Sequence, residues 1–175
     1  MSGHNKWSKI KRQKESTDAQ KSKIFGKMVR LITVEAKKVG GNTNSPGLKA
    51  AIEKAKSMNV PNDNIERAVK KFSEAKEMEL VVYEAYGPGG CAMIIEALTE
   101  SKNRANQEIK TILAKHGFAM AGVGSASWAF SHNPGEDWFA TTTIPLSHED
   151  GEKLGNLVDE LEENDEVQDV YTNAE

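Results

Sequence analysis

Apolar residues recur every three or four positions in three stretches of the first 76 residues, which is the spacing of amphipathic helices. The first helix is predicted to begin at the capping sequence Thr17-Asp18-Ala19-Gln20 and to end before Gly40-Gly41. The second begins at Ser45-Pro46, and the third follows the break at Val60-Pro61-Asn62. Three short amphipathic helices can enclose one small core, so residues 15–76 are predicted to form a three-helix domain.

Beyond residue 76 the apolar pattern changes to the alternation and short apolar runs of strands. The predicted elements are strands at 78–86 and 91–98, a helix at 101–116, strands at 126–131 and 138–144, a helix starting at Ser147, and a strand at 167–171. After the opening strand the order is β-α-β-β-α-β, which is typical of a ferredoxin-like antiparallel sheet with two helices on one face. The predicted fold class is therefore a helical domain followed by an α+β domain at 77–175.

Charge divides the chain at the same place. Residues 1–76 contain 18 Lys and Arg against 7 Asp and Glu, whereas residues 77–175 contain 5 against 19. Residues 1–14 lack apolar periodicity and carry five cations without an acid, so they are predicted to be a flexible basic arm. A region so rich in cations favours polyanions, above all a phosphate backbone.

The candidate nucleic-acid-binding residues lie in the arm and on the polar faces of the first and third helices. They are His4, Lys6, Trp7, Lys9, Lys11, Arg12, Lys14, Lys23, Lys27, Arg30, Arg67, Lys70 and Lys71. Trp7 has two interpretations, an aromatic ring that stacks on an unpaired base or an anchor that packs on the helical domain. The predicted sheet is not expected to stack bases, because Trp128, Phe130 and Trp138 alternate as core residues do and this half is acidic.

Neither catalysis nor a bound cofactor is predicted. The four histidines have no partner at metal-ligand spacing, and the single cysteine, Cys91, excludes a thiolate zinc site and an internal disulfide. The acidic residues of 159–169 are interpreted as a solvated face. No apolar run approaches the roughly 20 residues that cross a bilayer, so we expect no membrane partner and a reducing compartment, the cytoplasm or an organelle matrix.

Several segments resemble the YebC/PmpR family, which includes the mitochondrial translational activator of cytochrome c oxidase. The matching segments are Gly3-His4-Asn5-Lys6-Trp7, Lys23-Ile24-Phe25, Pro61-Asn62-Asp63-Asn64-Ile65, Tyr83-Glu84-Ala85-Tyr86-Gly87-Pro88-Gly89-Gly90, Lys115-His116-Gly117, Ser127-Trp128-Ala129-Phe130 and 167–173. The resemblance implies a helical domain, two α+β domains of which one is inserted into the other, and no enzyme activity. It further implies a regulator that has been associated both with DNA and with the ribosome.

The chain departs from the family pattern in two places. Lys11-Arg12-Gln13-Lys14 stands where the family usually has Lys-His-Arg-Lys. After Phe130 the family continues for several dozen residues, whereas here 131–137 leads directly to Trp138, so we expect a short member without the inserted domain.

Three functions are consistent with these patterns. The leading one is a non-enzymatic translation factor that binds the ribosome through rRNA, and the second is a DNA-binding transcriptional regulator. The third is a protein partner for the acidic half, which is compatible with either. Charge alone does not separate rRNA from DNA, because both present phosphates.

Overall fold

The computed structural model describes residues 18–133 and 136–175, which divide into two compact units, residues 18–78 and residues 79–133 with 137–175. The predicted arm, its candidate residues and Thr17 of the predicted cap lie outside the described residues. The fold class predicted from the sequence, a helical part followed by an α+β part with an antiparallel sheet, is confirmed.

The helical unit contains α1 (Asp18–Lys38), α2 (Pro46–Ser57) and α3 (Asn62–Lys70), followed by a 3₁₀ turn at Phe72–Glu74. α1 stops where Gly40 and Gly41 adopt positive φ angles of 60° and 79°, and the Gly41 N–H donates to the Ala36 carbonyl at 2.8 Å. The predicted apolar stripes meet in one core. Its buried members are Met28, Ile32, Ala36, Leu48, Ala51, Ala55, Val60, Ile65 and Ala68.

The sheet unit is built on a hairpin of β1 (Glu79–Tyr86) and β2 (Ala92–Thr99), whose register pairs Tyr86 with Ala92. The glycine-rich turn needs its glycines, because a Cβ at Gly89, where φ is 67°, would lie 2.5 Å from the Leu146 side chain. β6 (Val167–Thr172) pairs with the other edge of β2, and β3 (Met120–Ala121) with the outer edge of β1. The antiparallel order is β3-β1-β2-β6.

Helices α4 (Lys102–Lys115) and α5 (His148–Glu163) cover one face of this sheet, as predicted. The other face is covered by the segment that includes the 3₁₀ turn Ser127–Ala129 and strands β4 (Phe130–Ser131) and β5 (Phe139–Ala140). Both faces of β2 are therefore covered, and all eight of its residues are buried.

The strand pairing differs from the predicted ferredoxin-like arrangement. The strands expected at 126–131 and 138–144 are reduced to β4 and β5, which pair with each other, as Phe130 with Ala140 and Ser131 with Phe139. At the end of the second predicted strand, Ile144 forms an isolated bridge with Ala174. The physical reason is that β1 and β6 already occupy both edges of β2. The later strands therefore lie across the sheet rather than within it.

Candidate nucleic-acid interface

The exposed cations of the helical unit include three at the end of α3. Arg67 and Lys70 lie in its last turn and Lys71 follows directly, all with exposed side chains. The Arg67 guanidinium is held within the helix, because its Nη2 donates to Asn64 Oδ1 at 3.0 Å and its Nε to the Asp63 carbonyl at 3.4 Å.

The predicted cations of α1 are less accessible than those of α3. Lys23 and Arg30 are half-buried, and the Lys27 side chain is only 7% exposed. All three already interact with other groups in the chain. The expectation of an exposed Lys27 was wrong: Val34, two turns further along α1, is also buried, so this helix is covered over a wider arc than its apolar stripe predicts.

An open groove of about 350 Å³ runs between α1 and α3, and we call it the α1–α3 groove. Its lining comes from α1 (Val29, Thr33), α3 (Asn64, Arg67, Ala68) and the segment that follows (Lys71, Glu74, Ala75). Lys37 was not among the residues predicted to bind nucleic acid. Its Nζ donates to the carbonyl of Ala75, a lining residue, at 2.6 Å and so holds this part of the lining against α1. The structure thus brings Arg67 and Lys71 to one apolar-floored groove.

In the sheet unit, unlike at the exposed cations of α3, several charged side chains are buried and hydrogen-bonded. Glu84 of β1 is 6% exposed, and its carboxylate accepts hydrogen bonds from three backbone N–H groups of one loop. The donors are Gly124 at 2.6 Å, Ala126 at 2.9 Å and Ser127 at 2.6 Å. Burial alone would raise the pKa of Glu84, but the three N–H donors outweigh burial, so the pKa lies below its ordinary value.

Further buried acids lie on the same sheet face, beneath the β4–β5 segment. Glu96 accepts from the Trp138 indole N–H at 2.8 Å, and the Tyr171 hydroxyl lies 3.0 Å from Asp137 Oδ1 and 3.2 Å from Asp169 Oδ2. Burial, followed by the surrounding carboxylates, raises the pKa of Tyr171, so its hydroxyl remains a proton donor.

The prediction of a solvated acidic face at 159–169 is therefore wrong for two of its members. Asp169 is buried on β6, and Glu166 is buried where it pairs with the Arg104 guanidinium and accepts from the Thr99 hydroxyl at 3.1 Å. Sequence composition does not separate an acid that faces water from one that faces a donor on another element.

One aromatic residue also departs from its prediction. Phe130 is buried and Trp138 half-buried, but Trp128 is 59% exposed because the chain makes a 3₁₀ turn at 127–129 instead of a strand. Its indole N–H donates to the Tyr86 hydroxyl at 2.8 Å, which in turn donates to the Ser125 carbonyl.

The described histidines act as surface or capping groups. His116 caps the C-terminus of α4 and lies 2.6 Å from Glu160, His132 stacks on Trp138 at 4.2 Å, and His148 lies 3.3 Å from Glu152. Within residues 18–133 and 136–175, no three His, Cys, Asp or Glu side chains are grouped to hold a metal ion. Cys91 is buried, and burial raises the pKa of its thiol to about 12, which disfavours the thiolate.

None of the helices described here has both the length and the apolar character to cross a bilayer.

Comparison with known sequences and structures identifies the family. The family described as "TACO1/YebC protein N-terminal domain" matches residues 5–75, and "TACO1/YebC second and third domain" matches residues 78–134 and 135–174. The chain belongs to the TACO1/YebC family. A relative from Thermoanaerobacter pseudethanolicus is 38% identical over 240 aligned positions, covering 100% of this chain and 97% of the relative. A relative from Thermotoga petrophila is 49% identical over 134 residues, covering 74% of this chain and 53% of the relative.

Both of these TACO1/YebC relatives are named "Probable transcriptional regulatory protein", so the family carries the name of a regulator rather than of an enzyme. A solved structure, titled "Crystal Structure of a Conserved Hypothetical Protein Aq1575 from Aquifex Aeolicus", superposes with a TM-score of 0.73 at 29% identity. The superposition covers 90% of this chain and 91% of that chain.

The alignments agree with the prediction that this chain is a short member of the family. The Thermoanaerobacter alignment spans 240 positions, whereas this chain has 175 residues, so at least 65 positions of the alignment have no counterpart here. The match to the second and third domains is in two pieces that meet between residues 134 and 135. The break lies in the short connection where the sequence predicted that the insertion is absent.

Proposed function

We propose that this TACO1/YebC protein is a ribosome-associated translation factor that binds rRNA through its basic N-terminal half. The observation that carries the proposal is the α1–α3 groove, where exposed Arg67 and Lys71 border an apolar floor. Cations beside an apolar surface suit irregular RNA, which presents phosphates together with unpaired bases. In this proposal the protein acts where ribosomes are, in the cytoplasm or an organelle matrix.

The basic arm adds to the same electrostatic surface. Its candidate contacts are Lys6, Lys9, Lys11, Arg12 and Lys14, together with His4 and Trp7. Acidic groups of the sheet unit would be repelled by a phosphate backbone, so that unit is proposed to meet a protein partner instead of RNA.

Binding to duplex DNA is the second candidate, favoured by the names of the relatives, which describe transcriptional regulators. α3 has only nine residues, and its Asn64 and Arg67 side chains are hydrogen-bonded to each other. A helix that reads the major groove needs such side chains directed at base edges. Base readout by α3 would therefore require this pair to separate.

The decisive experiment measures co-sedimentation of the full chain with ribosomes from its own cell extract, alongside selection from a random duplex library. We expect ribosome association and no enriched duplex sequence. A transcriptional regulator would instead prefer one duplex sequence by about 10³-fold or more over random DNA. One strongly enriched motif without ribosome association would replace our proposal with the DNA alternative.

A matched pair of variants locates the contact. Arg67→Gln/Lys71→Gln removes two positive charges at the groove, whereas Lys49→Gln/Lys56→Gln removes two exposed charges from α2, outside it. We expect the first pair to weaken ribosome binding and the second to have little effect. Equal losses would indicate a general electrostatic attraction without a defined site on the helical unit.

A further inference from the structure

The α1–α3 groove is larger than a contact with phosphate alone requires. Two exposed cations would bind a phosphate backbone from a convex surface, but here Arg67 and Lys71 border a groove of about 350 Å³. That volume lies at the lower end of the range typical of small-ligand sites, which is about 300–1,000 Å³. The groove is therefore large enough to receive part of a ligand.

The floor of the groove is apolar. Val29 of α1 is half-buried, Ala68 of α3 is buried, and Ala75, whose carbonyl accepts from Lys37, also lines the groove. Small side chains at 68 and 75 leave the space open, and apolar surface of this kind favours a flat, weakly hydrated group such as a nucleobase.

Polar groups around the rim match the rest of a nucleotide. Arg67 is held by Asn64, so its guanidinium is positioned to meet a phosphate or the face of a base. Thr33 donates its hydroxyl proton to the Val29 carbonyl at 2.7 Å, which leaves the oxygen as an acceptor. Glu74 adds a carboxylate that repels phosphate, so a phosphate is favoured on the side of Arg67 and Lys71.

We infer that the α1–α3 groove is a binding site for a single unpaired RNA nucleotide, its base against Val29, Ala68 and Ala75 and its phosphate on Arg67 and Lys71. This inference rests on the proposed function and adds to it the structural feature of RNA that the helical unit selects. Only an unpaired nucleotide of a loop or bulge can enter the groove, whereas the surrounding cations attract paired and unpaired RNA alike.

The test compares the affinity of the full chain for a stem-loop RNA with an unpaired loop and for a fully paired RNA of the same length. Ala75→Leu fills the groove without changing charge. We expect it to weaken stem-loop binding by about five-fold or more, because the base loses its apolar contact with the groove. Binding to the paired RNA and the salt dependence should not change. Thr33→Leu fills the groove from the α1 side and serves if Ala75→Leu does not fold.

Arg67→Lys is the companion variant because it keeps the charge and loses the planar guanidinium. We expect it to weaken stem-loop binding and to leave the salt slope unchanged, whereas Arg67→Gln should also lower the slope by roughly 0.7–0.9. Unchanged stem-loop affinity in folded groove-filling variants would overturn the nucleotide site. If the groove-filling variants bind the stem-loop and sediment with ribosomes as wild type does, the nucleotide site is wrong but the proposed function stands. If the wild-type protein itself does not sediment with ribosomes, the proposed function is wrong.

Discussion

The helical unit and the sheet unit place their charged groups in opposite ways. In the described part of the helical unit the core is apolar, Lys27 is the buried charged side chain, and the α3 cations face water beside a groove. The sheet unit instead buries Glu84, Glu96, Glu166 and Asp169. The first three accept hydrogen bonds from residues far away in sequence, and Asp169 accepts one from the Tyr171 hydroxyl on the same strand. The α3 cations of the helical unit therefore stay at the surface, whereas a buried carboxylate, Glu84, positions a loop of the sheet unit.

The largest expected effect tests whether the two units are independent. Leu157 of α5 and Leu48 of α2 are each fully buried, in separate cores. Either Leu→Ala change should lower the free energy of unfolding of its own unit by about 2–5 kcal/mol, since it leaves a cavity. Calorimetry of the full chain should show that each variant moves a different transition.

RNA binding provides the functional control for this pair. Leu157→Ala should keep stem-loop binding at temperatures where the sheet unit has melted, while Leu48→Ala should lose binding when the helical unit melts. A single transition moved equally by both variants would mean that the units unfold together, and the comparison would not describe separate folding units.

The second prediction removes the anion that holds the 124–127 loop. Glu84→Gln replaces the carboxylate that three backbone N–H groups share, and charge-assisted bonds contribute more than neutral ones, so we expect a loss of about 1.5–3 kcal/mol. Urea denaturation followed by far-UV circular dichroism measures it. Glu79→Gln, on the exposed start of β1, is the control and should have little effect.

The pH dependence of the free energy of unfolding tests the contribution of the Glu84 carboxylate more directly. The folded-state pKa of Glu84 is lowered, so its contribution is complete above the unfolded pKa, near 4.3, and is lost as pH falls through the folded value. The loss of stability from pH 5 downward should be shallower in Glu84→Gln than in wild type. Parallel curves would show that the carboxylate does not stabilise the loop.

Much of the fold could be predicted from local sequence. Apolar spacing, Gly40-Gly41 and Pro46 fix the helical elements within a few residues, and the Gly87–Gly90 turn marks the β1–β2 hairpin. The segment around Trp128 could not be predicted in this way. Its apolar alternation resembles a strand, yet both edges of β2 were already paired, and that depends on residues far away in sequence.

The candidate site was predictable only in part. Arg67, Lys70 and Lys71 could be selected because a basic helix face is visible in sequence. The groove depends on how α3 packs on α1, and Lys37 enters it through the Ala75 carbonyl, 38 positions away. Glu84 was missed for the same reason, since its donors lie about 40 residues further along the chain.

The third prediction concerns the buried hydroxyl under the β4–β5 segment. Tyr171→Phe keeps the packing and removes the proton that the hydroxyl shares with Asp137 and Asp169. We expect a loss of about 1 kcal/mol, the net contribution of one hydrogen bond. Hydrogen exchange should become faster at 137–144, since Asp137 belongs to that segment, and should not change in α1–α3. Unchanged exchange at 137–144 would show that Tyr171 does not hold the segment.

The smallest effect on stability, combined with a large effect on binding, is expected for the arm. Replacing Lys6, Lys9, Lys11, Arg12 and Lys14 by Gln should change the free energy of unfolding by no more than ~0.5 kcal/mol, because these residues belong to no apolar pattern. Each phosphate contact that is lost should flatten the log–log salt dependence of RNA binding by roughly 0.7–0.9. The matched control replaces the four lysines, Lys6, Lys9, Lys11 and Lys14, by Arg. All five positions then keep a positive charge, and the variant should retain the wild-type slope. If the Gln variant binds with the slope and affinity of wild type, the arm has no part in binding, and the cations of the helical unit account for the attraction to RNA.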